Sequence, residues 1–497
     1  MTIYSLNFEK KKKRKKMKKN AILTTTACVL ATSLFAAPPQ RGASQGFQGY
    51  QQTQSLEQRL AELEDRVDSN EFKSSLDKLN IGLDFTLGVG ETKYQAKGNG
   101  RQLTQDHSSY YGHNKWANEL NLNLSADINS YTKFHGRLSM AKNWGMMDPT
   151  YDNHALDVEA GRNTRLSGQY LYVTRAYVDL YASKELVLTL GRQPGTEGPG
   201  FNIRNNALRQ STYPALTVNL LGDAAILTYK PSFLEYYNFA LRGGYGKVYQ
   251  FDEASGILRD WTAPAGDKAD SNLYIAIAET KLPLGFMGMA DNLFMLSYVR
   301  LQDLAVYFDK IPTPVQNIVI NGTQNLGTTD TTTAHFEAYN IFGLPINYFG
   351  SISYMKGSDA QDVKMSMVNG GVVTQTNTTQ KIFNEKDAWA GHVGLRFDFS
   401  QFFKLGGEYF YGSRYWYTMS RPSINDPLNI RATRGHAYDV YIISQIDRNQ
   451  FFRLSYTHIK NDYTNRGLPI GGALSKDSVR GYESIADNIM LTYNVKF

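Results

Sequence analysis

The residues of this chain that could do chemistry are dispersed rather than gathered into a motif. A Gly-x-Ser-x-Gly nucleophile elbow and a His-Glu-x-x-His zinc helix are both absent. The fragment GGYGK at 243–247 lacks the spacing that lets successive backbone N–H groups cradle a phosphate. His107 with His113, or Asp148 with Asp152 and Asp157, are metal-ligand types, but they sit in polar loop sequence and read as ordinary solvated side chains. Cys28 is the single cysteine, and Thr25 stands where a lipid-attachment signal wants Leu, so no lipid anchor is expected, and with Cys28 inside the expected signal peptide the mature chain would carry no thiol or disulfide. The expectation is a non-enzyme without cofactor, metal or nucleic-acid partner.

What remains is a set of charges at alternate positions, including Arg137, Arg175, Asp179, Arg242, Arg396 and Glu408, with Lys133, Asp398, Lys404, Asp439 and Arg453 in the same phase. A second set, Arg204, Arg209 and Tyr213, lies in the Gly/Pro-rich stretch GRQPGTEGPGFNIRNNALRQSTYPAL at 191–216. Charges of this kind act on a passing ion only if a scaffold holds them around a narrow, partly desolvated passage.

The elements that would position them are strands. Ile81, Leu83, Phe85, Leu87 and Val89 alternate with Gly82, Asp84, Thr86 and Gly88, and the same period of two recurs to the end of the chain. Strands are expected near 80–90, 115–128, 131–142, 170–182, 186–193, 222–230, 236–248, 271–282, 290–304, 333–343, 346–357, 388–399, 402–415, 436–447, 450–460 and 484–497. Long connections alternate strictly with short ones, a pattern of outer-membrane barrels that soluble sandwiches have no reason to show. No run reaches the ~18 apolar residues of a membrane helix, so a membrane-crossing form must be a closed barrel of about sixteen strands. The segments 313–326 and 363–376 also read as hairpins; their arms are too short to span, which makes them ribbons above the membrane, with eighteen strands as the alternative.

Before the strands lie three further segments. Residues 1–36 hold nine of the 53 bases and one of the 46 acids, so the basic pI of about 9.0 belongs to that segment and the rest is nearly neutral. From Met17 it reads MKKNAILTTTACVLATSLFAAPPQ, a signal peptide with cleavage expected after Ala36 and an upstream extension over 1–16. A Pro/Gly/Gln linker follows over 37–54. Then Leu56, Leu60, Leu63 and Val67 carry the four-three-four spacing of a periplasmic coiled-coil helix over 55–79, with the barrel expected over 80–497. A helix this short needs partner copies, and since porins of sixteen strands usually trimerise, a homotrimer is expected.

The chain ends YNVKF, and a terminal Phe497 with Val495 and Tyr493 on one face resembles the signal read by barrel assembly machinery. The run of Gly191-Arg192, a Gly/Pro turn and Arg209-Gln-x-x-Tyr213-Pro resembles a porin-like family of proteobacterial outer-membrane proteins of unknown function, as does the plan of coiled coil, barrel and terminal Phe. In general porins the third long loop folds inward. The resemblance therefore implies an outer-membrane, lipid-embedded channel for passive diffusion of small solutes or ions, both termini periplasmic, with 194–221 as the constriction. A surface adhesin or structural barrel is the alternative, and a barrel hydrolase a distant one.

Overall fold

The computed structural model describes residues 78–497 apart from 99–108, 145–170, 194–197, 210–213, 220, 250–269, 284–288, 290, 313–317, 370–371, 421, 465, 468, 470–472, 476 and 479–480. The expected signal peptide, linker and nearly all of the coiled-coil segment lie outside the described residues.

Sixteen antiparallel strands close into one barrel. They are β1 (Leu79–Gly98), β2 (Ser109–Asn129), β3 (Thr132–Asn143), β4 (Tyr172–Tyr181), β5 (Leu186–Gln193), β6 (Gly222–Tyr229), β7 (Ala240–Tyr249) and β8 (Ser271–Thr280). The second half is β9 (Asp291–Gln302), β10 (Thr328–Tyr339), β11 (Ile346–Ser358), β12 (Asp387–Asp398), β13 (Phe403–Gly412), β14 (Gly435–Gln445), β15 (Gln450–Asn461) and β16 (Tyr482–Lys496). Each corresponds to one of the expected segments. Closure is made by β1 against β16, and the last residue takes part: Leu83 N–H donates to the Phe497 carbonyl at 2.7 Å and Phe497 N–H to Leu83 at 2.9 Å. A closed ladder leaves no strand edge, which is what an apolar surrounding requires.

The alternation read in the sequence is an inside–outside alternation. On β15 Phe452, Leu454 and Tyr456 point outward and are exposed, while Arg453, Ser455 and Thr457 point inward and are buried. Ile352, Val393, Val440 and Leu491 continue the outward apolar surface on other strands, as lipid contact demands. The short turns are stabilised locally by their own polar side chains: Asn129 Oδ1 accepts the Tyr131 N–H, Ser400 Oγ those of Phe402 and Phe403, and Asp447 Oδ1 that of Asn449.

Three differences from the expected elements have simple causes. β10 begins at Thr328, five residues early, because Thr328–Thr333 is a β-branched polar run with no apolar alternation to mark it. β1 and β2 extend far past the apolar core of their pattern through polar residues, across a register shift between Gly90 and Thr92. The two ribbons, Ala305–Pro312 with Ile318–Asn325 and Asp362–Asn369 with Val372–Lys381, join through Ile318↔Met367 into one four-stranded sheet outside the barrel. The count is therefore sixteen and not eighteen.

Candidate functional site

The described parts of the third long connection, 198–209 and 214–219, turn inward, and the backbone explains how. Pro199 and Gly200 open a tight turn in which Asn205 N–H donates to the Phe201 carbonyl and Ala207 N–H to Asn202. Gly200 has φ +87, and a Cβ there would stand 3.3 Å from the Phe349 ring and 3.6 Å from His335 Cε1. Only glycine lets the chain lie this close to the inner wall in that conformation. Asn202 Nδ2 then donates to Tyr339 Oη at 2.5 Å, and Arg396 donates to the Ile203 carbonyl.

This loop does not sit alone. The seventh long connection, 413–434, also folds into the lumen, and the two pair in parallel at Val218↔Met419 and Asn219↔Ser420. Trp416, Tyr417, Ile430 and Leu216 form an apolar core with Phe410, Met355 and Leu301 of the wall. In the second loop Asp426 accepts the Ile430 N–H at 3.1 Å, shaping the short Ile430–Ala432 turn as a capping carboxylate does.

Arg204 joins the two loops to the barrel. It is fully buried, and its guanidinium lies 3.6 Å from Glu408 on β13, 3.5 Å from Asp426 in the seventh loop and 3.5 Å from Asp439 on β14. It also donates to the Asn425 carbonyl at 2.7 Å. Arg431 pairs with Asp426 at 3.0 Å and stacks 3.7 Å over the Phe201 ring; Arg453 pairs with Asp439 at 2.7 Å. Burial alone would lower the Arg204 pKa, but Asp439, Asp426 and Glu408 outweigh it and hold the group above its ordinary value. Burial likewise works to raise Asp426, and Arg204 with Arg431 overcome it, so this carboxyl sits below its ordinary value. Arg431 has less compensation, and burial pushes it down to about 10.

The opposite wall is different. Arg137 on β3 donates to Asn123 Oδ1 at 2.6 Å and reaches Asp84 on β1 at 3.4 Å. Asp179 on β4 faces His135 at 3.3 Å and accepts from Thr189 at 2.5 Å, and Arg175 sits across from Arg137 in register. Asp84 and Asp179 keep 17% of their side-chain surface exposed and His135 keeps 22%, against zero for Arg204, Glu408, Asp439 and Arg453.

The expected site residues thus divide. Arg137, Arg175 and Asp179 share the less covered wall. Glu408 and Arg204 meet in the buried cluster, so Arg204 does not face a passage as expected, because three carboxylates enclose it. Arg209 lies apart from Arg204, 3.4 Å from Glu279, which also pairs with Arg242 at 2.8 Å. Arg396 is held by Asp398 at 2.7 Å, and Tyr213 lies outside the described residues. Arg431 and Arg434, in the long connection between the strands expected at 402–415 and 436–447, are fully buried: Arg431 in the cluster, Arg434 on the Trp416 and Thr464 carbonyls. Polar-inside alternation also fails on β8 and β9, where Ile275, Ile277, Leu293, Met295 and Val299 point inward and pack with Val218 of the third loop. The aromatic triplet Tyr415-Trp416-Tyr417, unusual for a solvated loop, was the available signal for the second inward loop.

By fold the chain is similar to outer-membrane proteins. One is OprB of Pseudomonas putida in a high-pH structure, at 11% identity and TM-score 0.43 over 86% of this chain and 96% of that one. Another is the outer membrane channel DcaP of Acinetobacter baumannii, at 11% identity and TM-score 0.40 over 85% and 98%. A third is OmpT of Vibrio cholerae in its trimer form, at 11% identity and TM-score 0.38 over 84% and 100%. No curated protein matches the sequence. A family profile described as "Protein of unknown function (DUF3373)" matches residues 112–496, most of the chain including fifteen of the sixteen strands in whole or large part, and the chain belongs to that family.

Proposed function

We propose that the protein is a passive outer-membrane channel for small solutes or ions, its conduction path running beside the inward third and seventh loops along the wall of β1 to β5. The supporting observation is the asymmetry of the lumen. Glu408, Asp439 and Arg453 at β13 to β15 are sealed under the two loops, whereas Asp84, His135 and Asp179 of β1 to β4 keep part of their surface exposed. A sixteen-stranded barrel has a lumen wider than its own side chains fill, so a plug on one side narrows it without closing it. In this reading the third loop constricts by occupying space, and Asp84, Arg137, Arg175 and Asp179 supply the lining. The short turns and both termini face the periplasm, 1–36 is a signal peptide, 55–79 is a coiled coil that favours a trimer, and Phe497 serves barrel assembly.

Planar-bilayer conductance of the purified, folded protein tests the reading. Discrete current steps are expected, with weak ion preference because Asp84 and Arg137 compensate each other. A folded barrel that passes no current and swells no solute-loaded liposome would sink it. The four-stranded sheet outside the barrel fits the surface-binding alternative, which that negative result would favour.

A further inference from the structure

Where the third loop returns to the barrel wall it leaves an apolar cavity. Val218 of the loop, Leu273 and Ile275 of β8, and Val299 and Leu301 of β9 line it, with Gly222 of β6 at one side. A Cβ built on Gly222 meets nothing within 4 Å, so the space continues there. Thr329 and Thr331 of β10 add hydroxyls at the margin. All these strand residues belong to the inward-facing phase, so the cavity lies on the lumen side of the wall and not on the lipid side. It lies at the long-loop end of the strands, where a solute would enter.

The inward apolar residues of β8 and β9 are buried, Ile277 and Met295 completely, Ile275, Leu293, Val299 and Leu301 nearly so and Leu273 in part. The cavity is the remnant of that apolar sector which the loop does not fill. None of its described lining residues is charged, and the Gln193 amide beside it is engaged with the Gly191 and Ala224 carbonyls. A concave apolar surface with a few neutral polar groups at its edge is the composition of a small-molecule site.

We propose that this cavity binds the aryl or branched-alkyl part of an uncharged, water-borne solute while its polar part stays in the lumen. The chemistry follows from the lining: a charged group would lose hydration without gaining a partner, whereas an apolar group displaces water from apolar walls. Access rests on the channel reading, and the test separates the two.

The probes are phenyl glucoside and methyl glucoside, which share charge and polar part and differ in the apolar group. Added to the long-loop side of single channels, the phenyl compound should reduce current at about tenfold lower concentration. In Gly222→Phe, whose ring fills the cavity, the two half-blocking concentrations should converge. Equal concentrations in the wild type, or an undiminished difference in Gly222→Phe, would overturn the proposal. Should Gly222→Phe fail to assemble, Val299→Ser makes the same wall polar and must reduce the difference. If no current flows, the channel reading has failed, and equilibrium dialysis of the two glucosides against wild type and variant decides the cavity by the same ratio.

Discussion

Arg204 shows why a residue's type alone misplaces its role. As an arginine in a Gly/Pro loop it looks available to ions, yet a guanidinium surrounded by three buried carboxylates has its field neutralised within the cluster. Removing one member leaves the others buried and uncompensated, which costs about 3–5 kcal/mol in comparable sites. Arg204→Ala and Arg431→Ala should each give larger, noisier current steps, and the double variant should be far from additive because both act on Asp426. Additive changes would mean that the two loops move separately. The same cluster sets an acid limit. Asp426 titrates below its ordinary value, so the stability it contributes is complete above about 3.9 and disappears only as pH falls through the lower folded value. Step size should hold from neutral pH down to that region and rise below it. The less covered wall carries selectivity instead: Asp84→Asn strips Arg137 of its carboxylate and should move the reversal potential across a salt gradient toward anions, while neutralising Arg434 should leave it in place.

At the scale of elements, the strands were legible, the inward course of the third loop was legible through the resemblance alone, and the inward seventh loop was not, for a physical reason. Lipid outside and polar groups inside impose a period of two, as along Phe452 to Thr457, and every barrel strand carries some part of it. A loop that packs inside the lumen has no such constraint. Asp426, Arg431 and Arg434 are held by turns, carbonyls and ion pairs, none of which leaves a spacing in the sequence. β8 was ambiguous in another way: Leu273, Ile275 and Ile277 alternate with Tyr274, Ala276 and Ala278, so both faces are apolar and the pattern cannot say which is inward. The connection expected over 416–435, between the strands read at 402–415 and 436–447, is buried at Trp416, Asp426, Arg431 and Arg434, and that changes where the chain can accept an insertion. An epitope placed between the Asp362–Asn369 and Val372–Lys381 strands should be reached by antibody on intact cells, and one placed at Ser400 should not. An epitope after Asn429, inside the cluster, should abolish the folded barrel or its plug. Antibody binding to intact cells through the Ser400 insertion would reverse the assigned direction of the barrel.

For the whole molecule the question is whether the barrel needs its plug. The wall has its own continuous ladder, closed between Leu83 and Phe497, and nearly all of its outward apolar surface is independent of the loops. The inward groups that the plug covers are mostly polar: Glu408, Asp439 and Arg453 would meet water instead of Arg204, and two of them already pair with each other at 2.7 Å. The exceptions are the β8 and β9 sector, where Ile275 and Val299 would lose Val218, and the cluster of Leu301, Met355 and Phe410, which would lose Leu216; both become wetter, a loss set by apolar area. Replacing 198–219 by a short Gly/Ser connection should therefore leave a heat-modifiable barrel that denatures at a somewhat lower temperature. The seventh loop would lose Arg204, the Phe201 ring under Arg431 and the pairing at Val218 and Asn219, so it should loosen with the third. Conductance should then rise several-fold rather than by the share of one loop. An unchanged conductance in a folded barrel would place the narrowest point elsewhere, and loss of the folded barrel would make the plug part of the scaffold.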